Sequence, residues 1–319
     1  MGAFVFLCLL TGLLGGNTAF GDLGPDPGPE GYRYINPLIK PDEPQNLGNP
    51  HFRNFKYKIV ELVDEILALK DAIHISIYYR DLNNGPSFGI NEKEGFIPAS
   101  LLKVPLMMAY FKRAETQPEI LSEKVLYQGP TEKYDIEQYI VPVKTLKKGK
   151  SYAREELIRR MISYSDNEAA FLLYRKSYLD WIFKDLGMLT PGARVPRGSI
   201  SVKEYASFFR VLFNASYLNG AMSEKALDFL SSSDFNWGLA AGVPRGVAVA
   251  HKFGERDNKK GDKQLHDCGI VYYPSRPYLL CVMTRGDDYK QLEGIIQTIS
   301  SRVYEEVDKQ SRFLEQSPP

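Results

Sequence analysis

Cysteine is scarce in this sequence. Three cysteines in 319 residues exclude a scaffold held together mainly by disulfides. Histidine is scarce too: the four present are scattered, and no spacing matches a zinc-ligand set. No metal and no cofactor are expected. A charge excess is also missing, with 40 Lys and Arg against 39 Asp and Glu, a net charge of +1. Such a chain has no global field to gather nucleic acid, so that class of partner is excluded. Finally, no apolar run reaches the roughly 20 residues of a membrane span. The longest, MGAFVFLCLLTGLLGG, ends at residue 16.

That opening run suits a signal-peptide core, although no basic residues precede it. Residues 1–19 therefore read as an export signal or apolar leader, with a retained anchor or a buried helix as alternatives. Residues 20–50 read as a tether, because 21–50 hold seven prolines and five glycines. Tyr32, Tyr34 and Ile35 can dock it locally. A globular domain over 51–312 and a tail over 313–319 complete the division. The expected setting is periplasmic or extracellular, with membrane contact through the leader only, and the expected state is a monomer. If Cys8 leaves with the leader, Cys268 and Cys281 remain on adjacent predicted strands. They can pair, but two free core thiols is the preferred reading.

What is present is apolar periodicity. Phe55, Ile59, Leu62, Val63 and Ile66 predict a helix over about 53–70. Ile73, Ile75, Ile77 and Tyr79 alternate with smaller or polar residues, as in a strand. Asn83-Asn84-Gly85 supplies a turn into a second strand, Ser87–Ile90. An apolar helix follows Pro98 to about Arg113. The middle is helical, with helices after Ser151, over Glu168–Tyr174 and over Leu179–Leu186. Ser201-Val-Lys-Glu204 is a capping box ahead of Tyr205–Phe213, and another helix covers about 223–231. Strands return at 247–254, 269–273 and 278–283, and a helical stripe from Leu292 to Val303 closes the chain. An α/β arrangement with one sheet joining both chain ends is predicted. The Lys144–Lys150 and Asp257–Lys263 runs read as solvated turns.

Three short motifs stand out against this background. Ser100 and Lys103 form an S-x-x-K, three apart and so on one helical face. A desolvated lysine there can act as a base toward the serine. Ser165-Asp166-Asn167 lies ahead of a helix. His251-Lys252-Phe253-Gly254 ends a strand. Taken singly, each also reads blandly, as a surface lysine, a helix cap and a strand edge.

Together, in this order, they resemble the serine β-lactamase and penicillin-binding protein superfamily, class A β-lactamases above all. The F-x-P-A-S-x-x-K-V-P context, S-D-N-x-A-A and the Gly269-Ile-Val / Leu279-Leu-Cys-Val strand pair extend the similarity over about 53–310. The resemblance implies the β-lactamase/DD-peptidase-like fold, an antiparallel sheet with flanking helices and a helical subdomain. It implies Ser100 as acylated nucleophile, Lys103 as base and Ser165 as proton carrier to the leaving nitrogen. Asn167, Lys252, Phe253 and Gly254 match substrate-binding positions, with Gly254 letting substrate approach the strand. Asp166 matches a structural position. The backbone N–H groups of Ser100 and Glu255 match the oxyanion hole. The implied partner is a small-molecule or peptide substrate: a β-lactam, a cell-wall peptide or another small amide or ester.

Two departures qualify this. Phe253 stands where the family has a threonine or serine that contacts a substrate carboxylate. His251 and Arg256 are the nearby alternatives for that contact. Between Asn167 and Ser201 there is no E-x-x-L-N segment, so the glutamate that activates the deacylating water has no counterpart; Glu168 does not match it. A non-catalytic domain that retains the fold is the competing expectation.

Overall fold

A computed structural model describes residues 33–35, 50–83, 85–130, 138–189, 198–257 and 262–316. The leader, most of the tether, Asn84 of the first turn, most of the 190–198 loop, the centre of the 257–263 run and the last residues lie outside them.

The amphipathic stripe predicted near the start becomes α1, Pro50–Ala68, whose Phe52, Phe55, Ile59 and Val63 are buried. It leads into β1, His74–Asp81, and β2, Ser87–Ile90. β3, Gly95–Phe96, precedes a short 3-10 turn, Ala99–Leu102, and then α2, Lys103–Ala114. β4, Lys124–Leu126, and β5, Ser151–Ala153, pair as a small ribbon ahead of α3, Arg154–Ser163. The helical layer continues with α4, Asn167–Leu173, and α5, Lys176–Asp185. β6, Ile200–Ser201, pairs with β3 and hands over to α6, Val202–Phe213, then α7, Gly220–Ser231. The chain ends with β7, Val249–Asp257; β8, Lys263–Val271; β9, Tyr278–Gly286; and α8, Tyr289–Gln316.

The main sheet is antiparallel, in the order β2-β1-β9-β8-β7. Both chain ends share it, as predicted. Each face is covered by its own core. Val249, Leu265, Leu280 and Val282 point toward α1 and α8, while Ala250, Ile270, Leu279 and Met283 point toward the helical layer. This alternation follows from the two-residue period of a strand. With apolar cores on both faces, the inner strands are buried throughout. That makes the chain α/β, with an antiparallel sheet, flanking helices and a helical subdomain.

The capping box forms: Ser201 Oγ accepts from Glu204 N at 3.3 Å, and Ser201 N donates to Glu204 at 3.0 Å. Of the three residues expected to dock locally, Tyr34 and Ile35 do so, and Tyr32 lies outside the described residues. Ile35 is buried, Tyr34 meets Tyr272 edge-to-face at 5.3 Å, and Arg33 N and Tyr34 N donate to the Glu224 carboxylate.

Three expectations are corrected. Cys268 and Cys281 are joined as a disulfide, not free, because the β8–β9 register sets them opposite each other. β8 begins at Lys263, six residues before the predicted start, and β7 runs on to Asp257. Gln264, His266 and Asp267 are polar yet buried, so they broke the apolar pattern without breaking the strand. α8 extends well beyond the predicted stripe at both ends.

Candidate active site

The first motif is held from below by the sheet. Ile97 N donates to Gln264 Oε1 at 3.1 Å, and His266 Nε2 donates to the Ile97 carbonyl at 3.2 Å. The chain then turns through Ala99, at a left-handed φ of 47°. Leu101 N closes the turn on the Pro98 carbonyl, and Tyr205 Oη donates to the Leu101 carbonyl. Ser100 thus lies in the 3-10 turn, half-buried, and Lys103 opens α2, where one continuous helix was expected.

Lys103 is buried and reaches the second motif. Its Nζ donates to the Ser165 carbonyl at 2.7 Å, to Ser165 Oγ at 3.1 Å and to Asn167 Oδ1 at 2.7 Å. These bonds use all three donors of an ammonium, so none is left for the Ser100 hydroxyl. Asp166 caps α4, its Oδ1 accepting from Ala169 N at 3.1 Å. The cap forces the chain to turn sharply, and Ser165 takes it up at a φ of 52°. Ser165 Oγ is thereby aimed inward, fully buried.

Lys252 completes the cluster from the sheet side. Its Nζ donates to Ser165 Oγ at 3.0 Å and to the Phe253 carbonyl at 2.9 Å. The Ser165 hydroxyl therefore bridges two lysines. The structure brings together Lys103, Ser165, Asn167 and Lys252 by hydrogen bonds, with Ser100 in the adjoining turn. The structure shows a packing reason for Gly254. A Cβ there would lie 2.9 Å from the Pro98 carbonyl and 2.9 Å from Leu101 Cγ. The turn that carries Ser100 occupies space that glycine leaves.

The odd residues of β7 face the other way. His251 is buried, its Nδ1 donating to Asp267 Oδ1 at 2.9 Å. That bond commits it to the sheet, while Arg256 is exposed at the strand end. Phe253 is buried, stacked on Phe235 with ring centroids 4.3 Å apart. Glu255 receives Ile140 N at 3.2 Å on each carboxylate oxygen. Ile140 belongs to a segment, 138–143, that crosses this end of the strand. Tyr139 of the same segment stacks on Tyr289 of α8 at 4.6 Å. Sequence reasoning missed this segment, the rings Phe235 and Trp237 that share its cavity, and Asp267, which receives His251 and Leu239 N. They carry no periodicity and no motif, and only Glu255 was singled out, for its backbone.

Burial sets the charges. Desolvation pushes the Lys103 ammonium down to about 7, opposed by the negative charges of Asp166 and Glu255. Lys252 is driven well below its ordinary range by burial and then by the Lys103 ammonium. Two buried ammoniums sharing one hydroxyl favour losing a proton. Burial also lifts the Glu255 carboxyl to about 7, against the Ile140 N–H and both lysines. Asp166 is raised by burial, against the Ala169 N–H it caps. Among the described residues no cluster of His, Cys, Asp and Glu could hold a metal ion.

The arrangement can accept a proton at Lys103, pass one through Ser165 and present half-buried Ser100 to a ligand. Residues 58–307 match the model of the beta-lactamase enzyme family. No curated protein matches the chain. Solved structures do. A β-lactamase from Chitinophaga pinensis is 19% identical, with a TM-score of 0.67 over 80% of this chain and 99% of that one. A β-lactamase from Xanthomonas campestris pv. campestris is 21% identical, with a TM-score of 0.68 over 79% and 98%. A mutant of PBP-A, solved as an acyl-enzyme complex with penicillin G, is 22% identical, with a TM-score of 0.65 over 85% and 100%.

Proposed function

The chain belongs to the beta-lactamase enzyme family, and from that premise we propose that it is a serine hydrolase working through an acyl-enzyme on Ser100. The observation that carries this reading is the Lys103–Ser165–Lys252 chain, with Ser165 Oγ at 3.1 Å and 3.0 Å from the two amines. In its neutral form Lys103 gives up one donor and offers a lone pair. It takes the Ser100 proton, and Ser100 Oγ attacks the substrate carbonyl. The Ser100 and Glu255 N–H groups receive the oxyanion. Ser165 gives its proton to the leaving nitrogen and is reprotonated from Lys252. The C–N bond breaks and the acyl group stays on Ser100. Asn167 orients both Lys103 and the substrate, and Asp166 keeps α4 in place.

Release of the acyl group needs a water, and no glutamate stands in the familiar sequence position to activate it. Glu168 is engaged with Tyr127, whose phenol it helps to raise to about 12 after burial. A slowly released acyl-enzyme is therefore part of the proposal. The substrate is a small amide or ester, with penicillins as first acyl donors because a structural relative is captured with penicillin G. Export is supported by the Cys268–Cys281 bridge, since disulfides persist in oxidising compartments.

The test is intact-mass measurement after a fluorophosphonate and after benzylpenicillin. One adduct per chain is expected in the wild type and none in Ser100→Ala. An adduct that persists in Ser100→Ala, or no adduct from any acyl donor, sinks the assignment. The second reading, a fold retained for binding alone, is favoured by one observation: all three Lys103 donors are turned from Ser100. A chain that never acylates yet binds the same compounds would support it.

A further inference from the structure

Beside the lysine–serine chain lies a cavity of about 300 Å³. Phe253, Phe235, Trp237 and Tyr164 form its aromatic walls, and Ile140 to Val143 form the opposite side. It is continuous with the proposed site through Phe253, whose ring lies 3.9 Å from the Lys252 amine. Its apolar lining is open to a ligand: Trp237 is 54% exposed, Val141 70% and Val143 77%.

Its lining carries two acids and one cation, while Lys252 lies over the Phe253 ring and Lys144 and Arg159 reach the Tyr164 hydroxyl. Asp234 and Glu293 line it, with Lys290 as the cation among its walls. Glu255 sits at its edge by the strand period, on the face of Phe253, and is tied to the wall through Ile140 N. A ligand carboxylate entering here would lose water against aromatic rings and meet other carboxylates. An uncharged aromatic group would stack on Phe253 or Trp237 and leave those acids solvated at the rim.

We propose that this cavity is a specificity subsite that takes an aromatic, carboxylate-free group of the ligand and discriminates against a free carboxylate, with Phe253, Trp237 and Glu255 as the deciding residues. It rests on the acyl-enzyme reading only in calling that ligand a substrate.

The test uses full-length Ser100→Ala protein, so that nothing turns over. N-acetylphenylalanine and its primary amide are titrated by calorimetry at a pH above the raised Glu255 value of about 7. The amide is expected to bind at least roughly fivefold more tightly than the acid. Glu255→Gln should shrink that gap by at least half, and Trp237→Ala should weaken the amide. Equal or tighter binding of the acid, or a gap unmoved by Glu255→Gln, overturns the subsite. Fluorophosphonate labelling of the wild type separates the two failures. Labelling without the gap removes the subsite alone. The gap without labelling removes Ser100 as nucleophile and leaves the subsite standing.

Discussion

The two faces of β7 differ sharply. On the face toward the helical layer, Ala250 packs in the core, Lys252 bonds Ser165, and Gly254 makes room for the turn that carries Ser100. On the opposite face, His251 pairs with Asp267, Phe253 stacks on Phe235, and Glu255 holds a crossing segment. One side of the strand thus supplies the Lys252 amine to the cluster built by Lys103, Ser165 and Asn167, while its other side presents a ring and an acid. The lesson is that the two-residue period of a strand gives neighbouring residues unlike surroundings without isolating them, since the Phe253 ring still lies 3.9 Å from the Lys252 amine.

The largest effect should come from the first face. Lys103→Ala is expected to slow acylation of Ser100 by roughly a hundredfold or more, measured by the rate of adduct formation. In the wild type that rate should rise with pH through about 7, as burial-shifted Lys103 loses its proton. A flat profile between pH 6 and 8 would remove Lys103 as the base. Next in size is Gly254→Val. Its added carbons meet the Pro98 carbonyl and Leu101, so the nucleophile turn must shift. Acylation should fall roughly tenfold or more, while circular dichroism stays native. Equal acylation would show the turn to be slack and the contrast between the faces overstated.

Changes on the second face should be smaller and should alter preference more than rate. Phe253→Thr removes the ring stacked on Phe235 and places a hydroxyl beside Lys252. The ratio of acylation by benzylpenicillin to acylation by its methyl ester should rise roughly threefold to tenfold. A ratio that stays constant would deny that this face chooses the ligand.

The smallest effect concerns the support below both faces. His266 is buried neutral, its pKa lowered to about 4 by desolvation, against an ordinary value of 6.5. The unfolded chain takes up that proton first as pH falls. The contribution to stability is therefore whole above 6.5 and drains away toward 4. Melting temperature should drop between pH 7 and pH 5, and His266→Gln should flatten that drop. Its Ile97 hydrogen bond would tie this to the nucleophile turn.

Much of the first face was legible in the sequence because its groups are local. Ser100 and Lys103 share one turn, and Ser165 to Asn167 form one cap. What lay beyond them was not legible, because it depends on distant pairing. Nothing near Glu255 reveals that Ile140, 115 positions earlier, will donate to it. The buried polar run Gln264 to Asp267 masked the start of β8, since its partners are Ile97, His251 and Leu239. Likewise, the cysteine pairing follows from register, which strand signals alone do not set. The approach of the Pro98–Leu101 turn to Gly254 is hidden in the same way, because sequence gives the need for a glycine but not every group that comes near it.

Ala99 and Ser165, at φ of 47° and 52°, are the residues on which both serine motifs turn. Each carries a cost of about 1 to 2 kcal/mol in that conformation. Side-chain packing is therefore not what aims the two hydroxyls; the main chain is bent to aim them. Glycine at Ala99 would relieve the strain while slackening the aim, glycine at Ser165 would also remove the hydroxyl itself, and valine or isoleucine is strongly disfavoured at both. These two positions accordingly have little room to drift. At Ala99 the constraint falls on a residue with no reactive group, and at Ser165 it falls on the same residue that bridges the two lysines.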